Sequence, residues 1–151
     1  MSERREPLVM VGVDGSQNSK DALRWAVAHA AAVSGRVHAV MCWEWSRNPF
    51  NMGTTGTASG MVTPEELARE KLDEILRETL GDTPPVRVNA RVEQGAPAHV
   101  LVELSDDAET VVVGTRGYGG FKNALLGSVS TQVVQYARCT VVVVRAEGDT
   151  A

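Results

Sequence analysis

The chain has 151 residues, which fits a single domain and is long enough to bury a core without disulfides or metal ions. With a net charge of −4 and no basic block longer than Arg4-Arg5, it lacks the Lys and Arg clusters through which proteins bind nucleic acid. No apolar run approaches the length of a membrane span and residues 1–7 do not form a signal peptide, so no membrane partner is expected.

The first half of the chain alternates between strand and helix signals. The apolar run 8–13 is typical of a strand buried on both faces. Helical spacing of apolar residues from Ser19 then predicts a helix that ends with Gly35 as its cap. Residues 37–43 are predicted as a second strand. Residues 46–62 are rich in Gly, Thr, Ser and Asn without a period, which predicts a long flexible loop.

The second half continues the alternation. Thr63, Pro64 and Glu66 form a capping-box pattern that begins a helix, and Gly81 ends it. Alternating polarity over residues 86–92 predicts a strand at the edge of a sheet. The remaining predicted elements are a short helix from Pro97, a strand over 110–113, a helix over 128–137 and a strand over 140–145.

This order of elements predicts one domain over residues 1–151, with flexible ends at 1–6 and 146–151. The expected fold is α/β: an open five-stranded parallel sheet in the order 3-2-1-4-5, with helices on both faces. Ligands of such sheets bind beyond the carboxyl ends of the strands, where the strand order reverses. Residues 12–16, after strand one, and the residues from Gly114 onward, after strand four, are therefore expected to flank the ligand.

A glycine-rich segment carries the strongest chemical signal. Gly114-Thr115-Arg116-Gly117 is followed, after nine residues, by Gly127-Ser128-Val129-Ser130. Glycines let a phosphate approach the main chain without an intervening Cβ, and the free N–H groups of a helix start attract anions. The alternative is that the glycines only shape a loop, with Ser128 as an ordinary helix cap. The segment lacks the Gly-Lys-Ser/Thr of a Walker-type loop and is not a dinucleotide fingerprint.

In this setting after the fourth strand, the Gly-x2-Gly-x9-Gly-Ser pattern resembles the nucleotide motif of the universal stress protein family. The resemblance covers nearly the whole chain, and the intact nine-residue spacing resembles that of the ATP-binding branch of the family. The further matching segments are Val11-Gly12-Val13-Asp14-Gly15-Ser16, Gly95-Ala96-Pro97, Val111-Val112-Val113-Gly114, Leu125-Leu126 and Cys139-Thr140-Val141-Val142-Val143-Val144. The resemblance implies a Rossmann-like fold of the adenine nucleotide alpha-hydrolase type. Before the last strand, many relatives have Cys-Pro and this chain has Cys139-Thr140. The difference affects how the chain enters that strand and not the pocket.

The resemblance also implies the positions of a nucleotide site that holds ATP. Asp14 matches an acidic residue near the ribose or a bound metal, which would be Mg, and the backbone around Cys42 matches the position that contacts the adenine edge. Without the resemblance, a helix-capping role is the favoured interpretation of Asp14. The other implied site residues are Gly117, Gly127, Ser128 and Ser130 for the phosphates, and Gly12, Val13, Val113, Gly114 and Val129 for the pocket wall.

These features predict an ATP-binding, nucleotide-responsive regulator in the stress response, with no catalytic residue assigned and an unidentified regulatory protein as partner. The alternatives are a slow ATPase or phosphotransferase, a cyclic AMP-binding protein, and a scaffold that binds partners through residues 46–62. Two cysteines without a paired framework predict reduced thiols and a cytoplasmic location. A homodimer is expected to form through strand five, because no charge or proline protects its edge residues Val141, Val142, Val143 and Val144.

Overall fold

The computed structural model of the chain describes residues 5–44, 56–57, 60–115 and 126–145. The strands of its main sheet are β1 (Leu8–Gly12), β2 (Arg36–Trp43), β3 (Val88–Gln94), β4 (Thr110–Gly114) and β5 (Thr140–Val144). The helices are α1 (Gln17–Ala32), α2 (Pro64–Leu80), α3 (Pro97–Leu104) and α4 (Ser128–Tyr136), and a 3-10 turn at Ser105–Asp107 follows α3. The predicted bounds differ from these by one or two residues.

Some sequence predictions fall partly outside the described residues. Of the predicted loop 46–62, residues 56–57 and 60–62 are described, and Gly56–Thr57 pairs antiparallel with Gly60–Met61 apart from the main sheet. Of the predicted flexible ends, residues 1–4 and 146–151 lie outside the described residues. Within the part that is described, no helix has both the length and the apolar character needed to cross a membrane.

The main sheet has the strand order β3-β2-β1-β4-β5, and all neighbouring strands are parallel. This confirms the predicted order 3-2-1-4-5. The central strand β1 pairs with β2, where Leu8 lies opposite Arg36, and with β4, where Val9 lies opposite Thr110. Since the chain runs outward from β1 to β3 before it returns to β4, the strand order reverses between β1 and β4. The carboxyl ends of these two strands therefore flank the crevice in which this fold binds ligands.

Alternate residues of the strands enter two apolar layers, one on each face of the sheet. The layer packed with α1 and α2 includes Val9, Val11, Leu23, Leu72 and Val112. The layer packed with α3 and α4 includes Met10, Leu101, Val111 and Val133. β1 is thus buried on both faces, which explains why its sequence is a continuous apolar run.

The end of α1 corrects one prediction. Gly35 was expected to cap this helix, but the residue with positive φ is Ser34, at 58°. Gly35 follows it, and its N–H donates to the Ala30 carbonyl at 2.7 Å, as in a Schellman motif. A Cβ on Gly35 would lie 2.5 Å from the Pro7 carbonyl oxygen, so the glycine is explained by close backbone packing against Pro7.

The local signals of α2 and β3 are confirmed. Thr63 Oγ1 accepts from the Glu66 N–H at 3.1 Å, and the Glu66 carboxylate accepts from the Thr63 N–H at 3.3 Å, which completes the capping box. Gly81 has a φ of 77° directly after the helix. β3 lies at the edge of the sheet, as predicted, and its apolar residues alternate with polar ones because α2 covers one of its faces.

Candidate functional site

A hydrogen-bonded turn connects the carboxyl end of β1 to α1. Asp14 is exposed, and its Oδ1 accepts from the Ser16 N–H at 2.8 Å. Ser16 is the N-cap of α1, and its Oγ accepts from the Ser19 N–H at 3.2 Å. The Asp14 N–H in turn donates to Ser19 Oγ at 3.3 Å. The helix cap is therefore Ser16 and not Asp14, whose side chain instead closes the turn before the helix. Asp14 also places a carboxylate at the end of the central strand.

Two predicted pocket glycines are explained by the side chains packed on them. A Cβ on Gly12 would lie 2.9 Å from a methyl carbon of Leu101. A Cβ on Gly114 would lie 2.7 Å from the amide carbon and oxygen of Asn18. Val13 and Val113 are each 4% exposed, and their side chains belong to the apolar layers. These residues therefore have structural reasons for their identity, and what Val13 and Val113 can offer a ligand is their backbone.

A buried polar network, which the sequence analysis missed, joins α1, β4 and β5. Thr115 Oγ1 donates to Asn18 Oδ1 at 2.9 Å, and Asn18 Nδ2 donates to the Val144 carbonyl at 3.0 Å. The Thr115 N–H donates to the same carbonyl at 3.0 Å. Asn18 has only a weak sequence signal. It lies one turn before Ala22, on the buried face of α1, but it is polar where that face is otherwise mostly apolar.

The two described ends of the glycine-rich segment meet at Thr115. The Thr115 carbonyl accepts from the Gly127 N–H and from Ser130 Oγ, the latter at 2.8 Å. Ser130 is 2% exposed, so its hydroxyl closes the base of the segment. Residues 116–125 lie outside the described residues, and the predicted phosphate contact Gly117 is among them.

The start of α4 presents backbone donors to the crevice end of the sheet. Its N-cap is Gly127, and among the described residues no side chain caps it, whereas Ser16 caps α1 and Thr63 caps α2. The first N–H groups of a helix have no intrahelical acceptor, and here they belong to Ser128, Val129 and Ser130. No described side chain caps α3 either, but the first residue of that helix is Pro97, which has no N–H group to donate. The predicted alternative in which Ser128 caps the helix does not hold, since Ser128 is the first residue inside it.

β2 extends beyond the end of β1. The Val40 carbonyl accepts from the Val13 N–H at 2.9 Å, whereas the Trp43 carbonyl accepts from the Gly95 N–H at 2.8 Å, on the opposite side of the strand. Backbone direction alternates along a parallel strand, so the N–H and carbonyl of Cys42 point toward the β1 side. The last pair between the two strands is Gly12 with Val40, and Cys42 therefore aims a donor and an acceptor at the space past β1.

The Cys42 thiol is kept neutral by its surroundings. Burial raises the pKa of this thiol to about 12, and the carboxylates of Glu93 and Glu44 contribute to the rise. Because only the thiolate attacks electrophiles, a raised pKa removes reactivity across the neutral range. Cys42 is therefore suited to packing and not to nucleophilic chemistry.

We expect Cys42 to alkylate slowly. At pH 8, iodoacetamide should modify it on the order of a thousandfold more slowly than free cysteine, because the thiolate fraction falls by that factor. The measurement is peptide mass spectrometry on Cys139→Ser protein, with the urea-unfolded protein as control. The alkylation rate of the folded protein should still rise with pH at pH 10. A plateau of that rate near pH 9 would contradict the raised pKa of Cys42.

Comparisons with known proteins agree with this fold. The model of the Universal stress protein family matches residues 8–145, which include all five strands of the sheet. A universal stress protein of Mycolicibacterium smegmatis is 32% identical over 151 residues, which cover 95% of this chain and 49% of that protein. The chain spans about half the length of the curated relatives it matches.

Two solved structures share the fold. A universal stress protein in complex with cAMP is 25% identical, with a TM-score of 0.64 over 94% of this chain and 98% of that one. A universal stress protein from Archaeoglobus fulgidus in complex with dAMP is 21% identical, with a TM-score of 0.62 over 93% and 98% of the two chains. Given the family match across the whole sheet, the chain belongs to the universal stress protein family.

Proposed function

We propose that the chain binds ATP at the crevice between β1 and β4 and acts as a nucleotide-responsive regulator in the cytoplasm. The observation that carries the proposal is the start of α4, which no side chain in the described part of the chain caps and which offers backbone donors beside the carboxyl ends of these strands. Such a helix start favours a phosphate through its N–H groups and its dipole. The solved relatives that hold cAMP and dAMP support an adenine nucleotide as the ligand class.

The phosphates would contact the first turn of α4. Ser128 is exposed and offers both its N–H and its hydroxyl, while Val129 and Ser130 offer N–H groups. The N–H of Gly127 and the hydroxyl of Ser130 already bond to the Thr115 carbonyl, so their part is to shape the base of the site. Gly117 is proposed to let the phosphates approach the main chain closely, because it has no Cβ, as its place in the motif implies.

The adenine would lie against the end of β2. Adenine carries an amino donor beside a ring-nitrogen acceptor, and the Cys42 carbonyl and N–H complement that pair. Because these are backbone groups, the contact would not depend on the thiol. The neighbouring pocket wall would come from the ends of β1 and β4, at Gly12, Val13, Val113 and Gly114.

Asp14 is the residue proposed to hold Mg with the nucleotide. Protein-bound Mg²⁺ commonly uses one or two carboxylates together with substrate phosphates and water, which one exposed carboxylate fits. Among the described residues, no three His, Cys, Asp or Glu side chains gather into a metal site. The ion would therefore bind with ATP and not by itself.

The proposal is tested by identifying the nucleotide. Protein purified without added nucleotide should release ATP on denaturation, as measured by mass spectrometry, and calorimetry should show ATP binding more tightly than cAMP. The relative solved with cAMP makes a cyclic AMP-binding protein the second candidate, and tighter binding of cAMP would favour it. If no adenine nucleotide binds, the proposed function is wrong.

We expect hydrolysis of ATP to be slow, well below the roughly 1–100 s⁻¹ typical of kinases. Within residues 12–16, 113–115 and 126–130, Asp14 is the one titratable side chain, whereas fast phosphoryl transfer uses a positioned base together with cations. Backbone donors that bind the ground state about as well as the transition state do not accelerate the reaction. Steady-state hydrolysis with magnesium measures the rate.

Two variants separate the two roles of Asp14, in the turn before α1 and toward Mg. Asp14→Asn keeps an oxygen for the turn with Ser16 but removes the charge, whereas Asp14→Ala removes both. If the carboxylate acts only through Mg, both variants should weaken MgATP binding, and Asp14→Asn should preserve stability. A wild-type rate in the kinase range that collapses in both variants would show that the protein is an enzyme.

A further inference from the structure

We propose that Asn18 and Thr115 are positioning residues, which set the phosphate-binding start of α4 without touching the nucleotide. The inference rests on the ATP binding proposed above. It names the two side chains, one on α1 and one directly after β4, on which the geometry of that site would depend.

Thr115 connects the glycine-rich segment to the rest of the fold through three of its groups. Its N–H and Oγ1 bond to the Val144 carbonyl and the Asn18 side chain, each within 3.0 Å. Its carbonyl accepts from Gly127 and Ser130, which begin α4. A rotation of Thr115 would therefore move the acceptor that anchors the start of α4.

Asn18 holds Thr115 in that orientation. Its amide oxygen accepts from Thr115 and its amide nitrogen donates to the Val144 carbonyl, so both ends of the amide are engaged. Asn18 is 8% exposed and Thr115 is 4% exposed, and at such buried positions the loss of a hydrogen bond between polar groups is costly. The amide also lies on Gly114, where a Cβ would approach it to 2.7 Å. The glycine at 114 thus makes room for the amide that orients Thr115.

A second buried hydroxyl gives a matched control at the opposite end of the sheet. Ser105 is 1% exposed, donates to the Val102 carbonyl and accepts from the Arg138 N–H at 3.1 Å. This bond joins the end of α3 to the segment before β5, at the amino end of that strand. Its loss should reduce stability much as the loss of the Thr115 hydroxyl does, but without acting on the start of α4.

The experiment compares Thr115→Val, Thr115→Ser and Ser105→Ala in the full chain. The dissociation constants of ATP and of adenosine, which lacks phosphates, are measured together with the unfolding temperature. We expect Thr115→Val to weaken ATP binding at least about tenfold and to change adenosine binding less than about twofold, because only the phosphates contact α4. Thr115→Ser, which keeps the hydroxyl, should bind ATP like the wild type, and Ser105→Ala should lose stability but not ATP affinity.

Unchanged ATP affinity in Thr115→Val, or an equal loss for ATP and adenosine, would overturn the inference. Should Thr115→Val fail to fold, Asn18→Ser takes its place with the same expected preference for loss of ATP over adenosine. A wild-type protein that binds no adenine nucleotide would refute the proposed function and this inference together. Normal wild-type binding with an unaffected variant would refute the inference alone.

Discussion

A variant with valine at both Gly117 and Gly127 is expected to lose ATP binding and to keep its fold. Gly127 has a φ of −77° and a ψ of 176°, an extended backbone that valine adopts readily, so its N–H can still bond to Thr115. The added side chains would occupy the space through which phosphates reach the main-chain donors. Loss of two charge-assisted hydrogen bonds costs about 3–6 kcal/mol, so the affinity should fall by more than about a hundredfold.

Calorimetry with ATP measures this effect, and the unfolding temperature reports on the fold. Gln132→Val is the control, because it adds the same side chain at an exposed position of α4 beyond its first turn. It should bind ATP like the wild type. Unchanged ATP affinity in the double variant would show that the glycine-rich segment is not the site.

A proline at Val143 is expected to convert the proposed β5-mediated homodimer into a monomer. β5 is an edge strand, and its residues 141–144 are partly exposed. The Val144 carbonyl accepts from the Thr115 N–H, and backbone groups of successive residues point to opposite sides of a strand. The N–H and carbonyl groups of Val142 and Val144 therefore point toward β4, and those of Val141 and Val143 point outward. Proline at 143 would remove an outward N–H and leave the pairing with β4 intact.

The other edge of the sheet explains why we expect the dimer at β5. β3 carries the charged residues Arg91 and Glu93, and charged residues discourage edge-to-edge pairing. β5 has no such residue between Thr140 and Val144. Val142→Lys, which places a charge beside the same edge, should also weaken the dimer.

Sedimentation velocity at micromolar concentration measures the oligomeric state. Val143→Ile is the matched control, because it keeps both the N–H and the branched apolar side chain, and it should remain dimeric. A monomeric wild type would exclude the homodimer at that concentration. A dimeric Val143→Pro protein would place the contact on another surface.

Local sequence signals determined most of the secondary structure. The capping box of Thr63 and Glu66 and the stop at Gly81 involve groups a few residues apart, so their geometry is independent of the rest of the fold. The alternation of strands and helices, with an apolar β1 and a half-polar β3, predicted the parallel sheet, and the strand order expected for this topology is the one observed. The glycine-rich motif likewise marked the segments at the carboxyl ends of the strands.

Long-range packing decided the details that the sequence left open. Ser34, not Gly35, takes the left-handed conformation, and Gly35 instead packs against Pro7, which is far earlier in the chain. Asn18 was missed because its partners, Thr115 and Val144, are distant in the chain and come together only when α1 packs on the sheet.

The same distinction applies to the site itself. Gly12 and Gly114 were predicted as pocket residues, yet their contacts with Leu101 and Asn18 exist only in the folded chain. The direction of the Cys42 backbone follows from the register of β2 against β1, which the strand sequences alone do not define. The sequence by itself therefore determined which segments surround the crevice. Only the tertiary structure decided which of their atoms face it, because strand register and buried hydrogen bonds form between residues far apart in the chain.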